Sequence, residues 1–225
     1  MAFLFMATIT ALTTQKRNRE RVNLFLDGEF AFGLTAAASV GLRIGQIISD
    51  TEIAALKDLD EVEKAKNRAV RLISRRSRSV VEIKRNLQKN KYDDHLIEHV
   101  IDRLLAANLL DDAAFAEYWV EQRETFKPRS RLALRHELMQ KGVSRTVIEA
   151  AVDGIDESSA AQRAADKHAR RWKDLPENDF RLKLSQYLKR LGFPYDIIRD
   201  ITKNSWQTLN EGEAFNGNLP DFEGE

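Results

Sequence analysis

An apolar signature that returns three times limits this chain more than any other feature. Leu87, Leu138 and Leu188 mark the copies, spaced by 51 and then 50 residues. Four residues before them stand Ile83, Leu134 and Leu184; five after stand Tyr92, Val143 and Phe193; ten after stand Ile97, Ile148 and Ile198. Four matching positions in three copies are hard to reach by chance. A period of this length marks small supersecondary units, each unable to bury its apolar face alone and therefore stacked on its neighbours. An extended modular binder is expected.

Punctuation tells what each unit is. Ile83 and Leu87 share one helical face, and the next apolar anchors follow a short break holding Asn90, Gly142 or Gly192, residues that tolerate the left-handed backbone past a helix end. Asp93, Ser144 and Pro194 then open a second helix carrying Leu96-Ile97, Val147-Ile148 and Ile197-Ile198. A third helix precedes each pair, through Ala65, Ala69, Leu72 and Ile73, through Phe115, Trp119 and Val120, and through Ala161, Ala165, Ala169 and Trp172. The first sixty residues read as a small β-meander: Thr8 to Thr13, then Val22 to Leu26, a turn at Asp27-Gly28, and alternating Phe30, Phe32 and Leu34. Ser49 and Glu52 form a capping box opening a short helix through Leu56. The expected architecture is mostly α, a tandem array of three three-helix, helix-turn-helix-like repeats behind the meander. Its divisions are 1–60, 61–112, 113–159 and 160–207. Residues 208–225, with five carboxylates and no Lys or Arg, make a flexible acidic tail.

Composition removes several classes of function. No cysteine is present, which excludes disulfide frameworks, thiol catalysis and cysteine-bound zinc. Nowhere do eighteen apolar residues run together, and Met1 to Met6 lacks a basic flank, so a soluble cytoplasmic protein is expected; it is expected to be a monomer as well. His95-Leu96-Ile97-Glu98-His99 matches a zinc-protease string, but Leu96 and Ile97 are core anchors. Thr146 and Ala150 replace the two histidines in the second copy, and Asp196 and Asp200 in the third. Neither metal nor cofactor is expected, and no assembled catalytic constellation is found.

The net charge of +1 hides a segregation. Residues 64–91 hold eleven Lys and Arg against one acidic residue, Glu82, a density that reads as a polyanion-facing surface. Arg76-Ser77-Arg78-Ser79 aligns with Lys127-Pro128-Arg129-Ser130, each just ahead of a middle helix, where free N–H groups already favour an anion. Arg75, Arg76, Arg78, Lys84 and Arg85 make the first candidate contact set for a filament or DNA. Lys127, Arg129, Arg131 and Arg135 make the second. A duplex reader of helix-turn-helix type is the alternative, but the last helix of the first unit carries Asp94, Glu98 and Asp102 with only Arg103 basic, a poor face for a phosphate-lined groove.

The chain resembles the RecX regulators of RecA recombinase. The resemblance rests on Gln15-Lys16, Arg19-Glu20-Arg21-Val22, Asp27-Gly28-Glu29, the arginine loop with Glu82 and Leu87, Leu110-Asp111-Asp112 with Phe115-Ala116, and Arg135, Glu137-Leu138 and Lys141-Gly142-Val143 with Ile148-Glu149-Ala150, ending at Gly192-Phe193. Ser77 departs from the proline common there. The resemblance implies a non-catalytic protein lying in the groove of the RecA–single-stranded-DNA filament. It further implies restraint of RecA ATPase, strand exchange and coprotease activities, hence a place in recombination, DNA repair and the SOS response.

Overall fold

The computed structural model describes residues 6–216, with side chains described to residue 209. It divides into two compact units, Met1–Leu110 and Asp111–Glu225.

The first unit opens with four strands, β1 (Met6–Gln15), β2 (Asn18–Leu26), β3 (Glu29–Thr35) and β4 (Ile47–Ser49), all paired antiparallel in the order β3-β2-β1-β4. The fourth strand is an addition to the expected meander. Its three residues are too few to show alternation. Ile9, Leu24, Leu34, Ala38 and Ile48 form the buried core beneath the sheet. Three helices follow, α1 (Asp50–Ile73), α2 (Val80–Lys89) and α3 (Asp94–Ala106), packed on Ala65, Ala69, Ile83, Leu87, Ile97, Val100, Ile101 and Leu104.

Ser49 and Glu52 do form the capping box: Glu52 Oε2 accepts the Ser49 N–H at 2.7 Å, and Ser49 Oγ accepts the Glu52 N–H at 3.3 Å. The helix does not stop at Leu56. It continues through Ile73 and crosses the division expected at residue 60. Two buried carboxylates in the polar stretch explain this. Asp60, 3% exposed, accepts the Thr35 N–H of β3 at 2.5 Å and pairs with Lys64 at 2.5 Å and Arg21 at 3.8 Å. Glu63 pairs with Lys66 at 3.1 Å and with Arg103 of α3 at 3.2 Å. One helix thus serves both the sheet and the first repeat, each anchored by its own carboxylate.

The second unit holds the other two repeats. Helices α4 (Asp112–Phe126), α5 (Arg131–Gln140) and α6 (Arg145–Asp153) enclose Phe115, Ala116, Leu134, Leu138, Val143, Ile148 and Val152. Helices α7 (Glu157–Ala169), α8 (Glu177–Arg190) and α9 (Tyr195–Asn216) enclose five alanines of α7 with Phe180, Leu184, Leu188, Phe193, Ile198 and Ile201. A 3₁₀ turn, Arg170–Trp172, follows α7. Helix α9 runs past residue 207, so residues 208–216 are helical backbone where a flexible tail was expected. Residues 217–225 of that tail lie outside the described residues.

The turns follow the repeat, with one correction. Positive φ falls at Lys91 (62°), Gly142 (80°) and Gly192 (91°), equivalent positions in the three copies. Asn90 stays at −94° and only caps α2. The left-handed residue of the first repeat is therefore a lysine. Gly192 is constrained twice over, because a Cβ there would stand 2.5 Å from Ser130 Oγ and 3.1 Å from Ala133 Cβ. The turn of the third repeat thus rests on the start of α5, and Leu191 O accepts the Ser130 N–H at 3.2 Å. Gly192→Ala is expected to destabilise by at least about 2 kcal/mol, from left-handed strain plus overpacking. Lys91→Gly, relieved of the same strain with nothing to clash, is expected to stabilise by up to about 1 kcal/mol. Denaturant melts of both variants check the pair.

Candidate nucleic-acid interface

Each candidate loop is built around a buried serine. Ser79 and Ser130, both 0% exposed, cap α2 and α5 by accepting the N–H of Glu82 at 3.2 Å and of Ala133 at 3.0 Å. Capping fixes the preceding loop and with it the arginines. Their guanidinium groups are less free than the charge run alone implies.

In the first loop Arg76 makes a two-pronged pair with Glu82, at 2.9 and 3.1 Å, and also donates to the Ser77 carbonyl at 2.9 Å. The hydrogen bond to Glu82 holds the Arg76 pKa above the ordinary arginine value. Arg78 stands 4.0 Å from the same carboxylate. Arg75 is exposed and has no side-chain partner among the described residues. Lys84 pairs with Glu98 of α3 at 2.6 Å, and Arg85 is exposed. The run at 64–91 is therefore not left to repel itself. Asp60, Glu63 and Glu98, all outside it, take up Lys64, Lys66 and Lys84.

The second loop repeats the plan with different partners. Glu137 accepts Trp119 Nε1–H at 2.8 Å and Arg123 Nε–H at 2.7 Å, and lies 3.7 Å from Arg129 Nε. Arg123 and Lys141 both stand over the Trp119 ring, at 4.8 and 4.9 Å from its centre. Arg131 turns inward: its Nε donates to the Ile155 carbonyl at 2.9 Å, its Nη2 donates to the same oxygen, and its backbone N–H is accepted by Glu157 at 2.9 Å. It ties α5 to the segment after α6. Arg135 pairs with Glu149 through three contacts of 2.8 to 3.1 Å. Lys127 is exposed and has no side-chain partner among the described residues.

Two regularities emerge that charge counting misses. Lys84–Glu98 and Arg135–Glu149 are the same pair one repeat apart, each spanning fourteen residues. Arg78 and Arg129 are likewise equivalent, and in both the Nε atom is buried without a hydrogen-bond acceptor. Glu82, Glu98, Glu137 and Glu149 thus belong to the candidate site, because they decide which cationic groups are open. The spacing of fourteen in two copies was the signal in the sequence that could have found one such pair.

Along the zinc-protease string His95 and His99 are exposed and Glu98 is engaged by Lys84, and no group of three metal-ligating side chains gathers among the described residues. No described helix is long and apolar enough to cross a membrane.

The Arg135 hydrogen bonds lower the Glu149 pKa below its ordinary 4.5, with the charges of Arg135 and Arg145 acting in the same direction. The folded carboxyl is the stronger acid, so the pair contributes above pH 4.5 and ceases to contribute as the pH falls through the lower folded value. Carbon-detected titration of Glu149 is expected to show a midpoint below 4.5 that returns toward 4.5 in Arg135→Ala.

Four family models match in chain order: the "Regulatory protein RecX N-terminal domain" at residues 7–49, and the first, second and third RecX three-helix domains at 65–104, 111–152 and 156–202. The "Regulatory protein RecX" of Clostridium botulinum (strain Alaska E43 / Type E3) is 32% identical over 207 residues, 89% of this chain and 97% of that protein. The Bacillus subtilis (strain 168) protein of the same name is 32% identical over 198 residues, 86% of this chain and 75% of that one. A solved crystal structure of a regulatory protein RecX superposes with a TM-score of 0.69 at 26% identity, covering 88% of this chain and 99% of that chain.

Proposed function

This chain belongs to the RecX family of regulatory proteins, and on that premise we propose that it binds the filament of RecA recombinase on single-stranded DNA and restrains its ATPase, strand-exchange and coprotease activities. The observation that carries the reading is the match of all four family domains in order, over most of the length. The two equivalent arginine loops support it. Each sets a cationic segment ahead of a serine-capped helix start, a place suited to phosphates or to acidic side chains of a partner.

The geometry ranks the contacts. Arg75 and Lys127 are the cations immediately available to a partner. Lys84 and Arg135 are held in exposed carboxylate pairs that a phosphate can displace readily, since such pairs contribute about 1 kcal/mol or less, whereas Arg76 is held more firmly by its two-pronged pair with Glu82, 14% exposed. Arg131 is a structural tie, and Arg78 and Arg129 lie partly buried beside Glu82 and Glu137, at 4.0 and 3.7 Å. Regulation then needs only a higher affinity for one state of the filament than for another. No catalytic step by the chain itself enters this reading. A cytoplasmic setting and a monomeric state are part of the same proposal.

Inhibition of single-strand-dependent ATP hydrolysis by RecA is the direct test. The wild-type chain is expected to lower the rate, and Arg75→Glu with Lys127→Glu is expected to raise the half-inhibitory concentration tenfold or more at an unchanged melting temperature. Arg131→Ala is expected instead to lower stability by about 1–3 kcal/mol, because it leaves the Ile155 carbonyl without its donors. A wild-type chain with no effect on hydrolysis overturns the functional reading. A charge-reversed chain that inhibits at wild-type concentration overturns the site alone.

A further inference from the structure

A groove of about 900 Å³ runs between α7 and α9 in the third repeat. Its rim carries Arg163, Lys167, Arg170 and Lys173; the one carboxylate in its lining, Asp166, already accepts the Gln162 side-chain N–H at 2.7 Å, and Lys173 stands 3.8 Å from the exposed Asp174. At 1.5 Å of rise per residue, Arg163 and Lys167, four positions apart on α7, stand about 6 Å apart along the axis, and Arg170 of the 3₁₀ turn and Lys173 follow at intervals of three residues. That is the scale on which successive phosphates follow one another along a strand.

The groove has a feature that packing does not explain. Ser205, 5% exposed, lines it, and its hydroxyl oxygen is buried with no hydrogen-bond partner among the described residues. Serine within a helix ordinarily returns its hydroxyl to a preceding carbonyl, as Thr202 does here to Ile198 at 2.8 Å. Ser205 does not. A buried hydroxyl left unpaired in a cationic groove is a donor waiting for an anionic oxygen. Arg170 is also without a side-chain partner among the described residues. Arg163 and Lys167 are steadied from behind, by Glu124 at 3.2 Å and by the Phe126 carbonyl at 2.9 Å. Since Phe126 directly precedes Lys127, the groove opens beside the second arginine loop.

We propose that this groove binds a phosphate chain, the backbone of a single-stranded nucleic acid, with Arg163, Lys167, Arg170 and Lys173 on the phosphates and Ser205 donating to one of their oxygens. No aromatic ring lines the groove among the described residues, so bases have nothing there to stack on, and the recognition is of phosphate and indifferent to sequence. The site concerns the chain alone with a bare strand and stands apart from the recombinase reading.

The test is fluorescence anisotropy of labelled oligothymidylate with the full chain, in low salt and without recombinase. Arg170→Ala with Lys173→Ala is expected to weaken binding tenfold or more and to reduce the slope of log K against log salt by about 1.4, since each neutralised phosphate of a single strand adds ~0.7. Ser205→Ala separates binding from folding: its melting temperature is expected to hold or rise, since an unpaired buried hydroxyl is removed, while affinity falls several-fold. Inorganic polyphosphate, the same chemistry without bases, is expected to displace the oligonucleotide. The proposal is overturned if the double variant binds as wild type, if Ser205→Ala keeps full affinity, or if polyphosphate fails to compete. RecA ATPase inhibition is read on the same variants. A groove that fails while inhibition persists sinks this site and leaves the regulatory reading intact.

Discussion

Each three-helix repeat has only nine to eleven buried apolar residues in its described core, and the rest of the molecule is arranged around that shortage. Units of this size sit at the lower limit of what burial alone can stabilise. Helix ends therefore cannot be left open, and the middle helices of the first two repeats both begin on a fully buried serine. The same shortage makes neighbour contacts indispensable. In the second unit the turn at Gly192 presses on Ser130 and the Leu191 carbonyl accepts the Ser130 N–H, so the second repeat's loop is completed by the third repeat's backbone.

Much of this was readable in advance because it is periodic. All twelve apolar anchors of the repeat are buried except the half-buried Tyr92, and the capping serines are where the pattern puts them. What escaped was information held at long range. The continuity of α1 through residues 57–64 depends on Asp60 reaching Thr35 and Glu63 reaching Arg103, partners 25 and 40 positions away. No local window of a polar stretch contains them. Lys91 escaped for a different reason: Asn90 beside it has the better intrinsic tolerance of left-handed backbone, yet register with Gly142 and Gly192 assigns the turn to the lysine.

The site was half legible. Sequence locates the cations but not their counter-ions, and here carboxylates at distances of six, eight and fourteen residues modulate them. Exposed pairs of this kind are close to neutral in free energy. Arg135 and Glu149 are 35% and 46% exposed, so exchanging that carboxylate for a phosphate is nearly free and keeps the guanidinium oriented meanwhile. In the proposed function the carboxylates act as placeholders that preorganise charged side chains before a partner arrives, lowering the ordering cost of binding. They also explain how a chain with dense basic stretches keeps a net charge of only +1.

The third repeat breaks the plan of the other two in a way that moves its chemistry elsewhere. The position of Arg78 and Arg129 is Asp179, and α8 starts after Pro176 with no side-chain cap. The equivalents of Lys84 and Arg135 and of their glutamates are Ser185 and Arg199, so the shared polarity of that pair is gone. An anion therefore has no arginine loop to meet at the start of α8. Arg163 and Lys167 of α7, Arg170 of the 3₁₀ turn and Lys173 beyond it line the groove against α9 instead, while five alanines of α7 are buried in the core. Repetition supplies the scaffold three times, and divergence at a few surface positions decides on which face each copy presents its charge.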